Sequence, residues 1–354
     1  MERADRDLAF MLQYENIAWY EDGKVRILDR RCYPRTVSFV TCTNHREVAQ
    51  AIRDMVTQSA GPFTAAAMGM ALAAYECRDR SETEQRQYLH DAAVTISTAR
   101  PTTMKRMQTV CNTMLSAAEA AWASGENVAE AIKQQAIRAN NSRYSKIETM
   151  GKYLVERIPD HGTVMTQCFA ETIVGMMLKE AKRVGKTFRI FCPETRPYFQ
   201  GARLTATVCS EMGFDTTVIT DNMPAFVLQN EHVDIFTSAA DAICMDGYVV
   251  NKVGTFQIAI AANYLGVPYY VTGAPDLVHT SINDVKIEFR DPDFVLQAMG
   301  VRTAADGVKG YYPAFDITPP SLVRGVVTDR GVFDPNHLYA YVEAGGGSEY
   351  EVLV

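Results

Sequence analysis

Along the second half of the chain, short runs rich in β-branched and apolar residues recur at Thr163–Thr166, Phe188–Cys192, Thr216–Thr220, Val233–Ser238 and Tyr269–Thr272. Between them lie amphipathic stretches near Glu171–Val184, Ala202–Met212, Met223–Gln229 and Thr255–Leu265, which read as helices. Continuous apolar strands alternating with helices predict βαβ units and a parallel sheet covered on both faces. The first half reads differently. Asp22-Gly23 between Asn16–Tyr20 and Val25–Leu28 predicts a hairpin. Helical patterns follow over His45–Val56, Ala65–Tyr75, a segment capped by Ser81 with Glu84, Met104–Trp122 and Val128–Ala139. The expected architecture is α/β: a smaller, mainly helical domain with a short β-rich N-terminus (1–156), then a Rossmann-like, mostly parallel sheet domain (157–345) and a tail (346–354).

In parallel sheets of this kind, ligands bind outside the carboxyl ends of the strands. The residues just past each run are Gln167-Cys168, Glu194-Thr195-Arg196, Asp221-Asn222, Ala240-Asp241 and Gly273-Ala274. Thiol, carboxylate, guanidinium and amide groups therefore gather on one rim. Cys168 stands shortly before a helix start, where a dipole would lower its pKa and suit it as base or nucleophile; the alternative is a buried structural cysteine. Asp241 follows small residues that could enclose it and raise its pKa, suiting it as an acid; a turn cap is the plainer reading. Asn251-Lys252 precedes Val253-Gly254-Thr255 and a helix, a place for a phosphate or for an ordinary loop lysine. Gln200-Gly201 opens another helix. Arg196, Arg203 and Arg100 can each bind an anion or cap a rim.

Composition narrows the function. The 354 residues are 47% hydrophobic and carry a net charge of −7, which fits a globular protein and offers no electrostatic footprint for nucleic acid. Neither a signal peptide nor a membrane-spanning run is visible, so a cytoplasmic chain is expected. The eight cysteines show no paired spacing and the six histidines no ligand spacing, so no metal is expected. No G-x-G-x-x-G or P-loop points to a nucleotide cofactor, and none is expected.

Longer motifs add a resemblance. Glu194-Thr195-Arg196-Pro197-Tyr198-Phe199-Gln200-Gly201-Ala202-Arg203-Leu204-Thr205 resembles the ETRP-x-x-QGARLT segment of methylthioribose-1-phosphate isomerases. Ile219–Met223, Ala239-Ala240-Asp241, Asn251–Thr255 and Tyr312–Pro320 resemble the same family in order and spacing, from about Trp19 to Asp334. The wider family includes ribose-1,5-bisphosphate isomerases and regulatory subunits of a translation-initiation exchange factor. The resemblance implies an aldose–ketose isomerase of a 5-substituted ribose 1-phosphate, working as a homodimer, with Cys168 and Asp241 as its acid–base pair. It places substrate contacts on Gln58, Ser59, Ala60, Arg100, Gln200, Asn251 and Lys252. The alternative it carries is a non-catalytic sensor of sugar phosphates or nucleotides. Two departures mark this chain. The family's R-G-A-P-A-I-G loop is Gln58-Ser59-Ala60-Gly61-Pro62-Phe63-Thr64 here, without the arginine, and its H-C-N is Gln167-Cys168-Phe169.

Overall fold

The computed structural model describes residues 3–100, 104–277 and 280–347. His279 and the tail from 348 onward lie outside these residues. The chain forms two compact units, the first ending at Lys146 and the second running over Ile147–Gly347. That division falls within a helix, ahead of the 156/157 boundary expected from sequence.

In the first unit, β1 (Ala18–Glu21) and β2 (Lys24–Leu28) form the hairpin, with Glu21 paired to Lys24. Asp22 at φ 49° and Gly23 at φ 71° supply the two left-handed residues that so tight a turn requires. A third strand, β3 (Phe39–Cys42), pairs antiparallel with β2. Helices α1 (His45–Arg53), α2 (Gly61–Glu76), α3 (Glu82–Ser97), α4 (Met104–Ser124) and α5 (Val128–Val155) follow. Asn44 caps α1 by accepting the Glu47 N–H at 3.0 Å, and Ser81 with Glu84 forms the expected capping box on α3. The Ala- and Met-rich α2 is buried along nearly its whole length, because side chains this small let neighbouring elements close on it from every side.

The second unit is built on a seven-stranded sheet. Its elements are β4 (Gly162–Met165), α6 (Thr172–Arg183), β5 (Phe188–Pro193), α7 (Ala206–Glu211), β6 (Asp215–Ile219), α8 (Pro224–Asn230), β7 (Ile235–Ala239), β8 (Ala242–Ile243), β9 (Val249–Lys252), α9 (Thr255–Tyr264), β10 (Tyr269–Thr272), β11 (Phe315–Thr318), β12 (Gly325–Thr328), β13 (Gly331–Phe333) and α10 (Tyr339–Glu343). The sheet order is β13-β12-β10-β7-β4-β5-β6. All neighbours are parallel except the edge strand β13. Strands β8, β9 and β11 form a small antiparallel sheet beside it. The five runs read from sequence are therefore strands of one parallel sheet, extended by the unforeseen β12 and β13.

From β4 the chain moves to one side through β5 and β6. It then returns to place β7 on the other side of β4 and continues outward through β10. The order thus reverses between β4 and β7, and the crevice past their carboxyl ends is where such sheets hold ligands.

Candidate active site

Cys168 lies just past β4. Thr166 continues that strand by donating its backbone N–H and its hydroxyl to the Phe191 carbonyl, at 3.0 and 3.3 Å. The chain then turns: Cys168 has φ 57° and its carbonyl accepts the Thr205 hydroxyl. Glu171 is also left-handed, and α6 begins only at Thr172. Burial pushes the Cys168 thiol up to about 11, while the Lys252 ammonium pulls it down and the Asp241 carboxylate adds to the rise. The lowered pKa expected from a helix N-terminus is therefore corrected. The thiol precedes the first turn of α6, and desolvation by burial is the largest influence on it.

Asp241 follows β7, its backbone N–H donating to the Val250 carbonyl at 2.9 Å. Its side chain is exposed, so the enclosure suggested by the preceding small residues is not formed. Its charge nevertheless acts on both Cys168 and Lys252.

Asn251 and Lys252, adjacent on β9, are both buried. The Lys252 ammonium donates to the Ala314 carbonyl at 3.0 Å and lies 4.7 Å from the centre of the Phe315 ring. Burial lowers its pKa, against the attraction of Cys168. The Asn251 amide donates to the Thr255 hydroxyl at 3.1 Å. Gln200 is buried just before a π-helical turn over Gly201–Thr205, and its side-chain oxygen has no hydrogen-bond partner among the described residues. The turn packs closely: a Cβ on Gly201 would stand 1.8 Å from the Pro193 carbonyl oxygen.

The arginines of this rim cap backbone. Arg196 donates to the Gln297 carbonyl at 2.7 Å, and Arg203 to the Tyr198 carbonyl at 2.8 Å. Asp221 holds the preceding loop, accepting the Thr195 and Arg196 N–H groups at 2.8 and 2.7 Å. The structure also brings in a cation that the sequence reading missed. Arg290, paired with Glu288 at 2.8 Å, helps lower the Cys168 pKa. It lies past Asp276, where the hydrophobic pattern loosens and gives no signal.

Gln58, Ser59, Ala60 and Arg100 belong to the first unit. Gln58 is buried, and its backbone carbonyl accepts the Arg30 guanidinium at 2.7 Å and the Gly61 N–H at 3.1 Å. Ser59 is exposed and left-handed at φ 59°. Arg100 is half-buried.

Beside Cys168 is a small cavity of about 10 Å³, bordered by Gln167, Thr205, Thr237, Ser238 and Thr272. A wider groove of about 290 Å³ runs between Arg196, Asp221, Gly254 and Tyr312. Among the described residues no helix is long and apolar enough to cross a membrane, and no cluster of acidic, cysteine or histidine side chains could hold a metal.

Comparison with known proteins gives consistent results. The initiation factor 2 subunit family matches residues 57–335. A methylthioribose-1-phosphate isomerase from Chloroflexus aurantiacus is 35% identical over 91% of this chain and 96% of its own. One from Carboxydothermus hydrogenoformans is 34% identical over 90% and 95%. Among solved structures, a 5-methylthioribose 1-phosphate isomerase from Pyrococcus horikoshii OT3 superposes with a TM-score of 0.82 at 29% identity, covering 93% of this chain and 95% of that one. The translation initiation factor eIF-2B subunit delta from A. fulgidus gives 0.78 at 30% identity, covering 95% and 99%.

Proposed function

The chain belongs to the initiation factor 2 subunit family, and from that premise we propose that it converts a 5-substituted ribose 1-phosphate to the ribulose 1-phosphate, with 5-methylthioribose 1-phosphate or a close analogue as substrate. It is an aldose–ketose isomerase. The observation that supports Cys168 and Asp241 as its acid–base pair is their origin. They leave adjacent strands at the point where the sheet order reverses, and each acts electrostatically on the other and on Lys252.

The chemistry follows from the substrate. A sugar held as its 1-phosphate cannot open as a free hemiacetal does, so an acid must protonate the ring oxygen as its bond to C1 breaks. The Cys168 thiol, pushed up to about 11, starts protonated, and Asp241 starts as a carboxylate. One proton passing from Cys168 to Asp241 equips both: Asp241 becomes the acid, and the thiolate stands beside the Lys252 ammonium. Asp241 then gives its proton to the ring oxygen. The thiolate takes the C2 proton, forming an enol between C1 and C2. The thiol returns that proton to C1, while the C2 hydroxyl proton goes back to Asp241. Atoms balance: the cycle leaves Cys168 as thiolate and Asp241 protonated, and passage of that proton back to Cys168 restores the starting state. A direct hydride shift from C2 to C1 is the competing route.

Gln200, Asn251 and Lys252, with Gln58, Ser59, Ala60 and Arg100, are the proposed substrate contacts. A homodimer working in the cytoplasm completes the reading. The likeness to an eIF-2B subunit favours a second reading, a non-catalytic sugar-phosphate- or nucleotide-sensing regulatory protein. Assay of wild type, Cys168→Ala and Asp241→Asn on 5-methylthioribose 1-phosphate and ribose 1-phosphate separates the two. Turnover by wild type alone supports the isomerase with this pair, and binding without turnover supports the regulator. Substrate labelled with deuterium at C2 then distinguishes washout, for proton transfer, from retention, for hydride transfer.

A further inference from the structure

Gln167 is 4% exposed and sits between the β4 extension and Cys168. Its side-chain amide donates to the Val253 carbonyl at 3.3 Å. Val253 directly follows Lys252, so a single side chain spans the loop that carries the thiol and the turn that follows the strand carrying the ammonium. The turn is shaped around that amide. Gly254 is left-handed at φ +106°, and a Cβ there would come within 2.9 Å of the Gln167 side-chain nitrogen. The other end of the amide is uncommitted: the Gln167 side-chain oxygen is buried with no hydrogen-bond partner among the described residues. An enclosed polar atom left unpaired costs about 1–3 kcal/mol, which an aliphatic side chain of the same shape would avoid. Packing alone therefore does not account for glutamine here.

We propose that Gln167 is a positioning residue of the isomerase, its N–H latch on the Val253 carbonyl fixing where the Cys168 thiol stands relative to the Lys252 ammonium. The inference rests on the isomerase reading for its catalytic consequence but not for the latch itself. What the position requires is a donor: histidine can supply one, whereas ionised glutamate, nearly isosteric with glutamine, and leucine cannot.

The test uses the full-length protein with Gln167→Leu, Gln167→Glu and Gln167→His. On 5-methylthioribose 1-phosphate, the Leu and Glu variants should lose kcat by tenfold to a hundredfold, on the order expected for misplaced reacting groups. Their KM should stay within about threefold of wild type, as for an interaction that matters in the transition state. Gln167→His should recover most of kcat and bring a new ionisation near the imidazole range into the pH profile. Equal activity in all three variants, or an undiminished kcat in Gln167→Glu, overturns the latch.

A second readout needs no substrate: the rate of iodoacetamide labelling at Cys168, with Cys168→Ala as the blank. Gln167→Leu and Gln167→Glu should change that rate severalfold while Gln167→His stays near wild type. If wild type isomerises no pentose phosphate but the labelling rates still divide this way, the isomerase reading fails and the latch stands. Unchanged labelling rates in the Leu and Glu variants overturn the latch whatever the assay shows.

Discussion

The carboxylate of Asp316 accepts the Gly254 N–H at 2.6 Å and the Phe256 N–H at 3.2 Å, so a β11 residue caps the helix that follows Lys252. Burial nevertheless pushes Asp316 up to about 6 from an ordinary 3.8, against the pull of those bonds. The folded chain then binds more protons at this site than the unfolded chain within that window, and this contribution to stability falls as pH rises through it. Asp316→Asn cannot ionise and should flatten that part of the profile. The difference from wild type should reach at most about 3 kcal/mol across the window, measured by urea unfolding over a pH series. Parallel profiles for the two proteins would count against this account.

Glu76 predicts the opposite slope. Burial works against its charge, but hydrogen bonds from the His45 side chain, the Tyr88 hydroxyl (2.8 Å) and the His45 N–H (2.7 Å) outweigh it and hold the carboxyl below its ordinary 4.5. Stability from this cluster is present above about 4.5 and is lost as pH falls through the lower folded value. Glu76→Gln should cost about 1–3 kcal/mol at neutral pH and weaken the acid dependence, read as the melting temperature of the full chain from pH 3 to 7. A melting temperature equal to that of wild type at neutral pH refutes it.

Gly201→Ala is expected to be severe. The added methyl would meet the Pro193 carbonyl oxygen at 1.8 Å, and backbone on both sides leaves nothing flexible to yield. A loss of about 3 kcal/mol or more is expected in urea unfolding, the range reached by overpacking and strain together. A well-folded variant with unchanged stability would show that the π turn can shift.

The charge balance around the thiol is measurable directly. Cys168 labelling should reach half its limiting rate near pH 11. Lys252→Met should move that midpoint up, because the ammonium stabilises the thiolate, and Asp241→Asn should move it down. Midpoints that do not move in these directions would break the proposed coupling between the three groups.

The parallel sheet was legible because its strands are short β-branched runs bounded by helical patterns. The edge strands were not: Gly325–Thr328 and Gly331–Phe333 follow two prolines and are separated only by Asp329-Arg330. Helix α5 runs to Val155, well past the Ala139 end that its sequence pattern predicts. Asn140-Asn141-Ser142 reads as a break, since such side chains compete for backbone bonds. In the fold the asparagines are buried and engaged elsewhere: Asn141 accepts the Tyr14 hydroxyl at 2.6 Å, and Asn140 accepts the Thr64 hydroxyl at 3.2 Å. Tertiary partners thus remove the competition that sequence alone implies. At the site, position after a strand was readable but electrostatic environment was not. Proximity to a helix start suggested an acidic thiol, and only the packing around Cys168 shows that desolvation prevails.

The placement of β7 against β4 bears on how the chain comes into being. Strand β4 ends at Met165 and its inner neighbour begins at Ile235, so a ribosome releasing the chain exposes the first long before the second exists. During that interval β4 can pair only with β5, and its other edge stays open to unwanted pairing. The crevice closes only when β7 inserts, a contact of long sequence separation and therefore slow to form. Truncations ending before Ala239 would carry Cys168 on a half-finished sheet, competent to aggregate and lacking Asp241.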